Sequence, residues 1–123
     1  MKEVRVDEAP SPIGPYSQAV VHGDLVFCSG QLGLDPSTGV LAVGAVEQTR
    51  QALKNLEAVL KGAESSLHHA LKVTVYLTDL SCFSEMNKVY AQFFVPPYPA
   101  RTAIQVSALP KGAAVEIDVV AAR

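Results

Sequence analysis

The chain carries only two cysteines, Cys28 and Cys82, far apart in sequence and neither in a CxxC pair. That leaves no disulfide framework and no thiolate metal cluster, and it fits a reducing compartment, most simply the cytosol. No apolar run approaches the ~20 residues a membrane span needs, so no membrane partner is expected. The opening Met1-Lys2-Glu3-Val4-Arg5-Val6-Asp7-Glu8 is charged and alternating, unlike a signal peptide, and its acids are unlike a transit peptide. The formal net charge is −2 and the basic residues are scattered. That weighs against a nucleic-acid surface, which needs clustered Lys and Arg. The eight glycines form neither GxxxxGK[ST] nor GxGxxG, so no phosphate loop is expected. His68 and His69 are adjacent and would diverge, and His22 stands alone, so no metal site is expected either.

What is present is strong periodicity. At 123 residues the chain should form one domain, 1–123, large enough to bury its own core. Val4–Val6 can form a short strand. Three prolines make residues 9–16 irregular, because proline fixes φ and lacks a backbone donor. Ser17–His22 and Leu25–Gln31 flank Gly23-Asp24, a good hairpin turn. Asp35–Gly39 has loop chemistry. Helical spacing follows over Ala45–Lys61, with Val46, Leu53, Leu56 and Leu60 on one stripe and Gly62 as a stop. Leu71, Val73, Val75 and Leu77 then alternate as a strand. Ser81 suits the N-cap of a second helix through Phe83, Met86, Tyr90 and Phe93, ended by Pro96-Pro97. Two strands close the chain, 99–106 and 115–119. The order β-β-β-α-β-α-β-β predicts an α+β fold, a mixed sheet with two helices on one face. The other face carries Val120 beside Glu116, so self-association is its natural cover.

The last two strands each place a charge among apolar residues. Arg101, Ala103 and Gln105 share one side, and Thr102, Ile104 and Val106 the other. In the final strand Val115, Ile117 and Val119 oppose Glu116 and Asp118. If the apolar sides lie under the helices, Arg101 and Glu116 both point to the uncovered face. There they are candidates for anion recognition and proton transfer, or an ordinary ion pair. Ser29-Gly30 marks a strand end where backbone N–H groups could face a ligand. Tyr16 sits on a stiff loop after Gly14-Pro15. Asn87 falls on the stripe between Phe83 and Tyr90, where a buried amide needs partners.

The ordered set of these segments resembles the Rid family of enamine/imine deaminases, also known as L-PSP endoribonucleases, from end to end. The segments are Ala9-Pro10…Gly14-Pro15-Tyr16-Ser17-Gln18-Ala19, Ser29-Gly30-Gln31, Gln48–Leu56, Lys72–Asp79, Asn87…Tyr90…Phe93-Phe94, Pro99-Ala100-Arg101, Leu109-Pro110 and Val115-Glu116-Ile117. The resemblance implies a chorismate-mutase-like fold and a homotrimer with clefts between subunits. It implies Arg101 as carboxylate anchor and Glu116 as the group handling water and proton. Tyr16, Ser29, Gly30 and Asn87 would line the pocket. The implied substrates are 2-iminobutanoate and 2-iminopropanoate, hydrolysed to 2-keto acids and ammonia without a cofactor. Single-stranded RNA cleavage or translation inhibition, suggested by the older name, is the less favoured alternative. Many members carry Cys two residues after the Arg, where this chain has Ala103.

Overall fold

Alternating apolar residues build the centre of the sheet. In β4 (Ala70–Leu77) and β6 (Val115–Ala122), every second side chain from Val73 and from Val115 onward is buried. These two strands pair antiparallel, with Val73 opposite Val119 and Val75 opposite Ile117. β3 (Leu25–Leu32) joins the other edge of β6, and β2 (Ala19–His22) joins β3 as a hairpin around Gly23, whose φ is +60°. β1 (Lys2–Val4) closes that side. On the far edge β5 (Ala100–Gln105) runs parallel to β4. The computed structural model describes residues 1–123, and its six strands lie in the order β1-β2-β3-β6-β4-β5.

Helices α1 (Gly44–Gly62) and α2 (Phe83–Tyr90) cover one face of this mixed sheet. Ala52, Leu53, Leu56, Val59 and Leu60 of α1 and Met86 of α2 are fully buried against Val26, Val73, Val75, Ile117 and Val119. Val46, expected on the α1 stripe, is only half-buried. The inward positions of the first turns are taken by Gln48 and Thr49. Gly62 does not stop α1 by adopting a left-handed conformation; that falls to Glu64, with φ 61°. A Cβ on Gly62 would collide with Val6 Cγ1, so glycine there lets the N-terminal segment pass close. The second helix is capped earlier than its sequence suggests. Asp79 accepts the Ser81 N–H at 2.9 Å, and a 3₁₀ turn over Leu80–Cys82 leads into α2.

Three buried amides fix the loops around the sheet ends. Gln18 accepts the Val6 N–H at 2.7 Å and donates to the carbonyls of Val6, Ala9 and Pro10. This explains why β1 ends at Val4 rather than reaching Val6: the Val6 backbone bonds a side chain instead of a strand. Gln48 donates to Ala42 O and accepts the Ala114 N–H. Asn55, two turns further along α1, donates to the carbonyls of Leu32 and Leu34.

The uncovered face is partly apolar. Phe27 and Ile104 are about two-fifths exposed, at 41% and 40%, and Val120 is half-buried between Phe27 and Lys72. Leu71, the first residue of the alternating run read as a strand, is exposed at a bulge where the β4–β6 register shifts.

Gln18→Ala removes four hydrogen bonds at once and strands buried backbone groups. The urea midpoint should fall by an amount equivalent to about 1–3 kcal/mol. An unchanged midpoint would show that the loop groups find other partners.

Candidate active site

A bulge in β3 builds the first half of the site. The β3–β6 register slips between Cys28 and Gln31, so Ser29 and Gly30 bow out of the ladder. The Glu116 side chain fills the space this creates: a Cβ on Gly30 would collide with its carboxylate. Ser29 is not a free donor, contrary to the expectation of an open backbone edge. Its N–H goes to Gln18 O at 2.9 Å and its hydroxyl to Ser17 O at 2.6 Å. What it offers a ligand is the hydroxyl oxygen as an acceptor. Tyr16 is half-exposed at the end of the loop tied down by Gln18. Tyr16, Ser29, Gly30 and Glu116 line one cleft of about 610 Å³, with Lys111 also at its wall.

The carboxyl of Glu116 is pushed above the usual carboxylate range, first by burial and then by the negative charge of Asp118. Both acids lie on the uncovered face of β6. Tyr76, directly across from Glu116, donates its hydroxyl to Asp118 at 2.8 Å. Glu116 thus faces a second acid that is held in place by a hydrogen bond.

The second half lies elsewhere. Arg101 pairs in register with Val73, and Val73 points under the helices. Arg101 therefore lies on the helix-covered side of β5, not on the open face with Glu116. Its Nη1 donates to Asn87 Oδ1 at 2.7 Å, and its guanidinium carbon lies 4.7 Å from the Tyr90 ring centroid and 5.5 Å from that of Phe83. The physical reason is the edge position. β5 has one strand neighbour, and α2 supplies an amide and two aromatic faces that hold a cation, while Thr102 and Ile104 turn outward. Asn87 has thus found a side-chain partner rather than a backbone one. Within one chain, four of the six expected site residues share the cleft, and Arg101 and Asn87 form a separate pair on the other side of the sheet.

Sequence reasoning missed Gln18, Gln48 and Asn55 as loop anchors, although the seven-residue spacing of the last two on a buried helix face was a readable signal. It placed Asp118 on the same strand face as Glu116, as the structure has it, but gave it no influence on the Glu116 carboxyl. Cys28 is a core residue, its thiol pushed up to about 12 by burial and by Asp118. No three His, Cys, Asp or Glu side chains cluster at ligand spacing, and no helix is long and apolar enough to cross a membrane.

Residues 6–123 match the family model described as Endoribonuclease L-PSP. A RutC family protein, y4sK of Sinorhizobium fredii, is 50% identical over 121 residues, covering 98% of this chain and 96% of that protein. The human 2-iminobutanoate/2-iminopropanoate deaminase is 48% identical over 115 residues, covering 93% and 84%. Among solved structures, RidA from an Antarctic Psychrobacter superposes with a TM-score of 0.98 at 44% identity, with each chain fully covered. Escherichia coli TdcF with bound serine gives 0.95 at 38%, covering 100% of this chain and 99% of that one.

Asp118→Asn removes a negative charge facing Glu116. Ionisation of Glu116 then becomes easier, so its midpoint should move down in pH. A ¹³C titration of the Glu116 carboxyl reads this directly; an unmoved midpoint would leave burial as the only cause of the upward shift.

Proposed function

The chain belongs to the endoribonuclease L-PSP family, the Rid proteins, and from that premise we propose that it is a hydrolase of C=N bonds, a 2-iminobutanoate/2-iminopropanoate deaminase. The observation that carries the reading is the presence in one chain of two half-sites with complementary chemistry. One is an unneutralised Arg101 presented by Asn87; the other is a cleft around a carboxyl shifted toward neutral pH. A small 2-imino acid needs both, an anchor for its planar carboxylate and a proton carrier beside its C2 carbon.

Because the two halves lie on opposite faces of the sheet, we assign a working site to two copies of the chain. Glu116, Tyr16, Ser29 and Gly30 come from one copy and Arg101 and Asn87 from its neighbour. A homotrimer of this kind contains three such clefts and covers the apolar open face with Phe27 and Ile104. The match to TdcF with bound serine supports a pocket for an α-carboxylate.

The chemistry then follows from the groups present. Arg101 grips the substrate carboxylate through paired N–H donors, which fixes C2 over the cleft. Glu116 takes a proton from water as the water oxygen bonds to C2 of the protonated imine. That proton passes from Glu116 to the carbinolamine nitrogen, and Glu116 then takes the hydroxyl proton as the C=O forms and the C–N bond breaks; the departing ammonia carries this second proton away as ammonium, and the 2-keto acid leaves. The iminium and one water become one keto acid and one ammonium, so no redox partner is needed. An RNA-cleaving alternative finds less support: His22, His68 and His69 all lie away from the cleft lining, and the net charge of −2 offers no phosphate track.

The test couples the protein to a threonine dehydratase and threonine, with a carbonyl-reactive scavenger competing for the imine. Wild type should raise the yield of free 2-ketobutyrate. Arg101→Lys keeps the charge but not the fork, and should lose roughly 10- to 100-fold in kcat/KM, as expected for a charged hydrogen-bonded pair. Glu116→Gln should slow turnover by about 10²-fold or more while retaining 2-ketobutyrate binding. Wild-type rates in both variants would overturn the assignment of these residues.

A further inference from the structure

The Arg101 guanidinium is held without an acid. Neither of the chain's two ion pairs, Arg50–Glu47 and Arg123–Glu64, involves it, and its one hydrogen bond is to the Asn87 amide. Instead it rests over two aromatic rings from α2, Tyr90 at 4.7 Å and Phe83 at 5.5 Å. Phe83, Asn87 and Tyr90 are spaced i, i+4, i+7, so one stripe of the helix presents ring, amide and ring to the same side chain. Tyr90 is itself backed by Phe94, with the ring centroids 4.3 Å apart and the planes 26° from parallel.

The choice of partner matters. A carboxylate would hold Arg101 through two of its in-plane N–H groups and neutralise its charge, leaving fewer donors and no net charge for a substrate anion. An aromatic face attracts the cation through its π cloud and uses none of those donors. With one N–H spent on Asn87, the remaining in-plane donors stay available for a bidentate grip. We propose that Phe83 and Tyr90 are positioning residues of the carboxylate site, holding the Arg101 guanidinium by its face so that its edge is free for the substrate. The inference rests on the deaminase reading for the identity of the substrate, but the geometry of the cation stands apart from it. Tyr90 is buried and also belongs to the core, whereas Phe83 is half-exposed and can be changed with less risk to folding.

The experiment compares wild type, Phe83→Leu and Phe83→Tyr. Binding of 2-ketobutyrate is measured by calorimetry, turnover by the coupled assay, and the Arg101 side-chain proton shifts by NMR. Removing one ring face should weaken 2-ketobutyrate binding and raise KM by about three- to tenfold, the range of a partly desolvated cation–π contact. kcat should change much less. The ring-current shift on the Arg101 Nε–H should shrink in Phe83→Leu, and Phe83→Tyr, which keeps an aromatic face, should restore both shift and affinity. Phe83→Leu with wild-type affinity and an unmoved Arg101 signal would overturn the proposal. So would a loss in kcat alone, or a failure of Phe83→Tyr to rescue. A wild type that binds 2-ketobutyrate through this clamp yet hydrolyses no 2-imino acid would instead overturn the deaminase reading and leave the positioning role supported.

Discussion

A strand delivers each side chain to one face of its sheet and cannot deliver it to the other. This alternation governs what the protein can do. Glu116 is cross-strand from Tyr76 on the open face, while Arg101 is in register with Val73 on the face under α2. No rotamer change brings Arg101 and Glu116 of one chain onto a single small molecule from opposite sides of an intact sheet. On the proposed reading, a substrate that needs both meets them from two copies. The apolar residues left on the open face, Phe27, Ile104 and Val120, favour that association.

Keeping the two groups apart also preserves their charge states. A free Arg next to a Glu would form an ion pair, lower the acid's pKa and satisfy the cation. Here Glu116 sits in a half-buried cleft beside Asp118, which raises its pKa. Arg101 sits against rings and an amide, which hold it without neutralising it. The scaffold that allows this is polar as well as apolar. Gln18 ties down the loop that ends at Tyr16, and Asn55 pins the backbone just beyond the β3 bulge. Gly30 leaves room for the carboxylate that the bulge exposes.

Much of this was legible from residue pattern. The period-two run of β4, the final strand and the long first helix follow from hydrophobic spacing, and the hairpin follows from its Gly23-Asp24 turn. The side taken by β5 did not. Arg-Thr-Ala-Ile-Gln-Val reads most naturally with Ile104 and Val106 inward, and the structure inverts it. An edge strand has only one neighbour to set its register, and α2 turns an apparent surface Arg into a tethered one. Ile104 is exposed in the single chain, so a pattern rule based on burial within the chain misassigns it. Leu71 escapes the core for another local reason, a bulge, which leaves no mark on alternation. The activity was never in composition or periodicity. It came from the ordered match to known relatives, and the geometry then divided the matched residues into two groups.

The most direct test of this division is complementation between two defective chains. Arg101→Lys and Glu116→Gln proteins are unfolded, mixed and refolded together, with subunit exchange verified by mass spectrometry of the intact assembly. If each site draws Arg101 from one copy and Glu116 from another, the mixed assemblies contain some sites with both wild-type groups. They should then hydrolyse 2-iminobutanoate faster than either parent refolded alone. Mixed assemblies no more active than the parents would contradict the two-copy site.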